Sequence, residues 1–185
     1  MEGDRDIHMV TALRQATQGD SQAFGDLVRQ HQTMVFSIAY HFLRNRTQAE
    51  DVAQDVFLEL YQRLAQIQSP SHLLFWLRRV TVNRCIDQTR RKKPEMALED
   101  VAEPRAAAAH GDLLLSEQLQ RSVATLPERR RAVVILRYHE GLELAEISKL
   151  LDMPLNTVKS TLQRSLVELR KKLTRKLREV RYAIL

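Results

Sequence analysis

The chain has 185 residues, of which 44% are hydrophobic and 28% charged, a composition typical of a soluble folded protein with one moderate core or two small ones. Only 5 Gly and 5 Pro are present, and abundant Leu, Ala, Gln and Glu favour helices over hairpins, so the sequence predicts an all-α fold. A single cysteine, Cys85, excludes an intrachain disulfide framework and a CxxC zinc site, and no run approaches the ~18 apolar residues that a membrane span requires.

The net charge of +6 lies in the C-terminal part of the chain. Residues 1–110 carry 14 Lys and Arg against 14 Asp and Glu, whereas residues 111–185 carry 15 against 9. A field of one sign costs self-repulsion unless a polyanion offsets it, which favours nucleic-acid binding over the simpler alternative of a solvated helical face. The six His are scattered without HExxH spacing, so we expect no metal, no cofactor and no catalytic residue.

The first ten residues, MEGDRDIHMV, are acidic and contain no apolar segment, so we expect a cytoplasmic protein without direct membrane insertion. A helix is predicted over 49–67, AEDVAQDVFLELYQRLAQI, with one apolar side. On another side Asp51, Asp55 and Glu59 recur every four residues, and like charges at this spacing destabilise a helix by a few tenths of a kcal/mol per pair. This acidic stripe favours a basic partner, and a plain solvated face is the alternative.

A second helix is predicted over 72–93, after the break at QSPS. It contains Phe75, Trp76 and a string of Arg that ends in the basic run RRKK. Aromatic side chains can stack on unpaired bases while Arg and Lys follow the backbone. A Trp such as Trp76 is nevertheless more often a core residue.

A linker is predicted over 93–111, because this segment has two prolines, mixed charge, an alanine run and no sustained apolar stripe. It would separate two small helical domains, residues 1–92 and residues 112–185.

Four helices are predicted in the C-terminal domain. The first covers 113–123, the second begins at Pro127 and is ended by Gly141, and the third covers 143–151. Asp152 tolerates left-handed backbone angles and Pro154 can open a new helix, so the last two helices should meet at a sharp angle, as in a helix-turn-helix. Ser148 would be small enough for the crossing and Val158 would seal it.

The last helix has an apolar stripe and an opposite polar face. The predicted buried stripe consists of Val158, Leu162, Leu166, Leu169, Leu173 and Leu177. The opposite face near the helix N-terminus shows Asn156, Lys159, Ser160, Gln163 and Arg164. Each of these can hydrogen-bond a phosphate or a base edge in a major groove.

Four of these segments, in this order, resemble bacterial sigma factors of the sigma-70 family, in the extracytoplasmic-function (ECF) group. AEDVAQDVF resembles the part of region 2 that binds core polymerase, and FWLRRVTVNRCIDQTRRKK resembles the promoter-melting helix. LPERRRAVVILRYHEGLELAEISKLL resembles region 4 up to its turn, and NTVKSTLQRSLVEL resembles its recognition helix. The resemblance extends from about Gln22 to Arg178.

The resemblance implies a dissociable subunit that directs RNA polymerase core to promoters and has no catalysis of its own. The residues implied in binding the clamp helices of the largest polymerase subunit are Asp51, Gln54, Asp55 and Phe57. The C-terminal domain would bind the flap of the second-largest subunit. An anti-sigma factor is a common partner in this group, although no feature of the sequence identifies one.

The resemblance also implies two DNA contacts. The residues implied at the minus-10 element are Trp76, Arg79, Asn83, Arg84, Arg90 and Arg91, and the loop from Gln66 to Ser71 would accommodate a flipped base. The residues implied at the minus-35 element are Asn156, Thr157, Lys159, Ser160, Gln163, Arg164 and Lys171, with Arg170 and Lys172 also holding phosphate.

Three positions depart from the family pattern: Asp152 and Asn156 stand where Gly is frequent, and Thr161 stands where Arg is frequent. Because Thr cannot make a bidentate guanine contact, the base preference should differ. A dimeric helix-turn-helix regulator is an alternative function that leaves the acidic stripe unexplained. An enzyme finds no support in phosphate-loop, metal-ligand or nucleophile motifs.

Overall fold

The computed structural model describes the backbone of residues 2–92 and 111–183, and the side chains of 9–91 and 117–175. Within these ranges every regular element is helical, which confirms the all-α prediction. The elements are α1 (Glu2–Thr17), α2 (Ser21–Leu43), α3 (Arg46–Arg63), a short 3-10 turn (Leu64–Gln66), α4 (Pro70–Lys92), α5 (Gly111–Ala124), α6 (Glu128–Tyr138), α7 (Leu144–Leu151) and α8 (Leu155–Ala183).

Contacts within the chain divide it into two units, Met1–Cys85 and Ile86–Leu185, in agreement with the prediction of two helical domains. The division falls inside α4. The predicted linker, apart from Gly111 at the start of α5, lies outside the described residues. The predicted domain boundaries at 92 and 112 therefore stay a prediction.

Helices α1 and α2 of the first unit were not predicted. The start of α2 has a clear local signal, because Oδ1 of Asp20 accepts hydrogen bonds from the backbone N–H groups of Gln22 (2.8 Å) and Ala23 (3.1 Å). The buried side of α2 includes Leu27 and Phe42, which have no exposed surface. This helix packs against both α1 and α3 and so forms the centre of the unit.

Helices α3 and α4 bury one side each, which was predicted for α3 and not for α4. On α3, Val56 and Leu60 have no exposed surface, and on α4 the same is true of Leu73 and Leu77. Helix α4 begins at Pro70, two residues before the predicted start, and the hydroxyl of Ser69 accepts a 3.1 Å hydrogen bond from the N–H of His72.

The second unit has its core between α5, α6 and α8, where Leu126, Val134 and Leu169 pack together with Val123 and Leu162. The connection between α5 and α6 is fixed by Arg131, a buried residue whose Nη2 donates to the carbonyl oxygens of Ala124 and Leu126. Helix α6 begins at Glu128, with Pro127 as its N-cap residue.

The prediction that Leu166 belongs to the buried stripe of α8 is wrong. Leu166 is 39% exposed, whereas Ser165 has no exposed surface. The stripe runs through Val158, Leu162, Ser165 and Leu169, because steps of four and three residues keep positions on one side of a helix. A small residue fits at 165, where its hydroxyl donates to the carbonyl of Thr161 over 2.7 Å. The side chain of Leu177, also predicted to be buried, lies outside the described residues.

Candidate nucleic-acid interface

The predicted turn between α7 and α8 is confirmed. Asp152 has φ 52° and ψ 53°, the left-handed conformation expected of it. The hydroxyl of Ser148 donates to the carbonyl of Met153 over 2.6 Å, and the N–H of Met153 donates to the carbonyl of Ser148 over 3.0 Å. Val158 is fully buried behind the turn. Ser148 was predicted only to be small enough for the crossing. In the structure it also closes the turn by hydrogen bonds.

The connection from α6 to α7 is held by contacts that the sequence did not indicate. Nη1 of Arg137 lies 2.9 Å from the carbonyl oxygen of Leu142 and 2.9 Å from Oε1 of Glu143. The backbone N–H of Glu143 donates to Oε2 of Glu146 over 2.7 Å, half of a capping box at the start of α7. These bonds fix α7 against α6 and so orient the turn that presents α8.

The first three turns of α8 present polar side chains to solvent, on the side opposite Val158. The exposed members of this set are Asn156, Thr157, Lys159, Gln163 and Arg164, and Ser160 is half-buried. The hydroxyl of Ser160 donates to the carbonyl of Thr157 over 3.1 Å, which leaves its oxygen free to accept a further bond. All the predicted groups of this face are thus on one surface.

The cations at the basic end of α8 differ in their exposure. Arg170, Lys171 and Arg175 are exposed and line a shallow groove together with Thr174. Lys172, predicted with them as a phosphate contact, instead points into its own unit.

The ammonium of Lys172 lies 2.8 Å from Oε1 of Glu168 and 2.7 Å from Oγ1 of Thr125. Arg130 approaches the other oxygen of Glu168 at 2.8 Å. The hydrogen bond from Lys172, aided by Arg130, lowers the pKa of the Glu168 carboxyl. Lys172 therefore contributes to folding contacts more than to the accessible basic surface.

The acidic stripe of α3 is shorter than predicted. Asp51, Gln54 and Asp55 are exposed, but the side chain of Glu59 is only 17% exposed. Its carboxylate lies 2.8 Å from Nη2 of Arg84 and 3.2 Å from Nε of Arg63. Two of the three acids are consequently accessible.

Apolar residues also lie on this face of α3. The structure places Phe57, one of the residues implied in polymerase binding, in the core of its own unit at 9% exposure. The next residue, Leu58, is 55% exposed, and Tyr61 is 63% exposed, with its ring 5.1 Å from that of Phe24. Sequence reasoning missed both, although Leu58 follows Asp51 by seven residues and Asp55 by three, so helical spacing alone puts it on the acidic face.

Helix α4 presents Arg79, Asn83 and Arg90 to solvent, with Trp76 partly exposed. Steps of three, four and seven residues place these four on one side of the helix. Arg91 is exposed as well, whereas Arg84, one residue from Asn83, is turned toward the acids of α3.

The segment predicted to accommodate a flipped base is compact. Gln66 closes the 3-10 turn and Ile67 is buried, so only Gln68 and Ser69 separate this part from α4. The N–H of Gln68 donates to Nδ1 of His72 over 3.2 Å. Gln66, Gln68 and Ser71 are exposed polar residues of this loop.

The described part of the chain contains neither a candidate metal site nor a candidate membrane-spanning helix. Among those residues, no group of three or more His, Cys, Asp or Glu side chains could hold a metal ion. None of the described helices combines the length and apolarity needed to cross a bilayer.

Comparison with known proteins identifies both units. Residues 27–95 match the family model of sigma-70 region 2, and residues 116–169 match that of sigma-70 region 4. The ECF RNA polymerase sigma factor SigW of Bacillus subtilis is 30% identical over 87% of this chain and 94% of its own. The chain belongs to the sigma-70 family of RNA polymerase sigma factors, in the ECF group. Its role is therefore in promoter-directed initiation of transcription.

One further relative agrees with this assignment, and one solved structure shares the fold. The ECF sigma factor SigE of Mycolicibacterium smegmatis is 34% identical to this sigma factor, over 86% of this chain and 66% of its own. The sigma factor RpoE of Bartonella quintana, solved in complex with the anti-sigma factor NepR, has the same fold. Its TM-score is 0.67 at 20% identity, over 82% of this chain and 96% of that one.

Proposed function

We propose that this sigma factor binds RNA polymerase core through the exposed face of α3 and contacts promoter DNA through α4 and α8. The observation that carries the proposal is that each of these helices buries one side in its own unit and leaves a polar or charged side exposed. In this proposal each exposed side makes one of the contacts that the family resemblance implies. The chain itself performs no chemistry in this proposal, since RNA synthesis belongs to the polymerase.

The core-binding face has the composition of a protein interface. Asp51 and Asp55 supply negative charge that complements a basic surface and steers association. Leu58 and Tyr61 lie beside them and supply apolar area of the kind that anchors an interface core. The proposed partner of this face is the pair of clamp helices in the largest polymerase subunit, and the proposed partner of the C-terminal unit is the flap of the second-largest subunit.

The proposed minus-35 reader is the first half of α8. Lys159, Gln163 and Arg164 are exposed on adjacent turns and can reach base edges in a major groove, while Lys171 can bind phosphate further along. Thr161 is half-buried and, unlike the Arg that is frequent in the family at this position, cannot make a bidentate guanine contact.

The proposed minus-10 surface is the exposed side of α4. Arg79 and Arg90 would follow the phosphates of the opened strand, Asn83 can hydrogen-bond a base, and Trp76 can stack on one. Unstacking a base costs a few kcal/mol, so this surface would act on DNA that the polymerase complex is already opening. Promoter and polymerase lie in the bacterial cytoplasm, where we expect the protein to act.

The proposal is tested by titrating labelled promoter duplex with the full-length protein, with core polymerase, and with both together. We expect specific promoter binding and run-off transcription only when both are present. Tight, sequence-specific binding of duplex by the free protein, without association with core, would instead support a dimeric helix-turn-helix regulator.

A further inference from the structure

Arg84 lies apart from the DNA-facing side of α4. Trp76, Arg79, Asn83 and Arg90 share one side of the helix, and Arg84 is rotated from Asn83 by one residue, about 100° around the helix axis. Its side chain reaches α3 instead of the solvent in front of α4. The family resemblance groups Arg84 with the minus-10 contacts. In the fold, however, its side chain lies against the acidic side of α3.

The contacts of Arg84 are with the acidic side of α3. Nη2 donates to Oε2 of Glu59 over 2.8 Å, and Nη1 lies 3.8 Å from Oδ2 of Asp55. The two acids differ in accessibility, because the side chain of Glu59 is 17% exposed and that of Asp55 is 57% exposed. Arg84 itself is 43% exposed, so its charge is felt at the surface as well as by Glu59.

This arrangement changes the charge of the core-binding face. Asp51, Asp55 and Glu59 would give three negative charges along α3, but Arg63 and Arg84 place two positive charges against the last of them. The attraction of this face for a basic partner is correspondingly reduced, and electrostatic attraction acts mainly on the rate of association.

We propose that Arg84 is a residue of the polymerase-facing surface that limits the affinity of this sigma factor for core enzyme by neutralising Glu59 and Asp55. This inference rests on the proposed docking of α3. A sigma factor must leave core for another to take its place, and a cation set beside the docking acids lowers affinity without removing any contact group.

The test is the rate of association of full-length protein with core polymerase, measured for wild type, Arg84→Gln and Arg79→Gln at low and high salt. Gln at 84 keeps a polar side chain of similar character but carries no charge. We expect Arg84→Gln to raise the association rate two-fold or more at low salt, with the difference lost at high salt because exposed charges are screened. Arg79→Gln removes a charge from the DNA side of α4. Its rate of association with core should stay within about 1.3-fold of the wild-type rate.

Promoter opening by preformed holoenzyme gives the second readout. Arg79→Gln should slow it several-fold, and Arg84→Gln should not change it. An unchanged or lower association rate for Arg84→Gln, or a loss of promoter opening equal to that of Arg79→Gln, would overturn the inference. Failure of wild-type protein to bind core at all would refute the proposed function itself, which is a separate result.

Discussion

The ammonium of Lys172 lies 2.7 Å from the hydroxyl of Thr125 and thereby ties the last helix to the turn between α5 and α6. Its neighbour Lys171 is exposed and lines the basic groove of α8. Adjacent lysines on one helix thus have different surroundings, and they form a matched pair for separating DNA binding from folding.

For this pair we expect opposite outcomes of substitution by Ala. Lys171→Ala should weaken holoenzyme binding evenly across promoters and reduce the salt slope by about one, as expected for one lost phosphate contact. Lys172→Ala should change the salt slope less and lower the free energy of unfolding by about 0.5–1 kcal/mol, since it removes a partly exposed ion pair and a hydrogen bond. Salt-dependent binding and chemical denaturation measure the two effects. Equal salt slopes for both variants would contradict the assignment.

Charge reversal on α3 tests the docking face. Asp51→Lys with Asp55→Lys should weaken core binding by more than about 1 kcal/mol, because complementary charge is replaced by repulsion. Both residues are exposed, so the helical circular dichroism should be preserved. Asp26→Lys, which reverses an exposed charge on α2, is the control. A double variant that retains core in a pull-down as well as wild type does would show that docking lies elsewhere.

Arg164 is expected to read sequence. Arg164→Ala should relax base preference in the minus-35 element, since a base-edge contact typically contributes about 1–3 kcal/mol of discrimination. Lys171→Ala serves as the comparison, because it should leave base preference intact. Affinities of holoenzyme for a set of single-base promoter variants provide the measurement, and identical preference profiles for the two proteins would contradict a reading role.

The left-handed Asp152 predicts a backbone effect at the turn. Asp152→Val should lower the free energy of unfolding by about 1–2 kcal/mol, because a β-branched residue is strained at positive φ. Asp152→Gly should stay within about 0.5 kcal/mol of wild type, since Gly adopts this conformation without strain but loses more chain entropy on folding. Asp152 is exposed, so neither change removes packing. Thermal or urea denaturation of the three proteins would reveal any deviation from this order.

His31 predicts a pH dependence of stability. Its imidazole is buried, and burial together with the charge of Arg78 lowers its pKa below the ordinary value of 6.5. The unfolded chain therefore takes up a proton near this pH while the folded chain does not. Stability should be at its full value above 6.5 and should fall as the pH is lowered below it.

Urea denaturation between pH 7.5 and 5, at about half-unit steps, would measure this dependence. In His31→Gln the decline attributable to this site should disappear. If the two proteins show the same slope of stability against pH, another group is responsible for it.

Much of the fold could be predicted from local sequence. Apolar spacing predicted α3 and α8 close to their observed positions. The break at QSPS predicted α4, Pro127 and Gly141 predicted α6, and Asp152 with Pro154 predicted the turn. Helices α1 and α2 were missed although Asp20 is a recognisable N-cap and α2 has a periodic apolar side. Helical spacing also puts Leu58 on the acidic face of α3. The same spacing favours Ser165 over Leu166 as a member of the buried stripe of α8.

The sequence alone determined the helical class, the positions of most helices, the turn before α8 and the side chains that α8 presents near its start, because these follow from backbone preferences and from spacing within one helix. Only the tertiary structure decided which charged groups are accessible. Lys172 meets Thr125 across 47 residues and Arg84 meets Glu59 across 25, and no local pattern encodes such distances. The packing of separate helices brings these residues together. It therefore decides which charged groups stabilise the fold and which remain accessible to a partner.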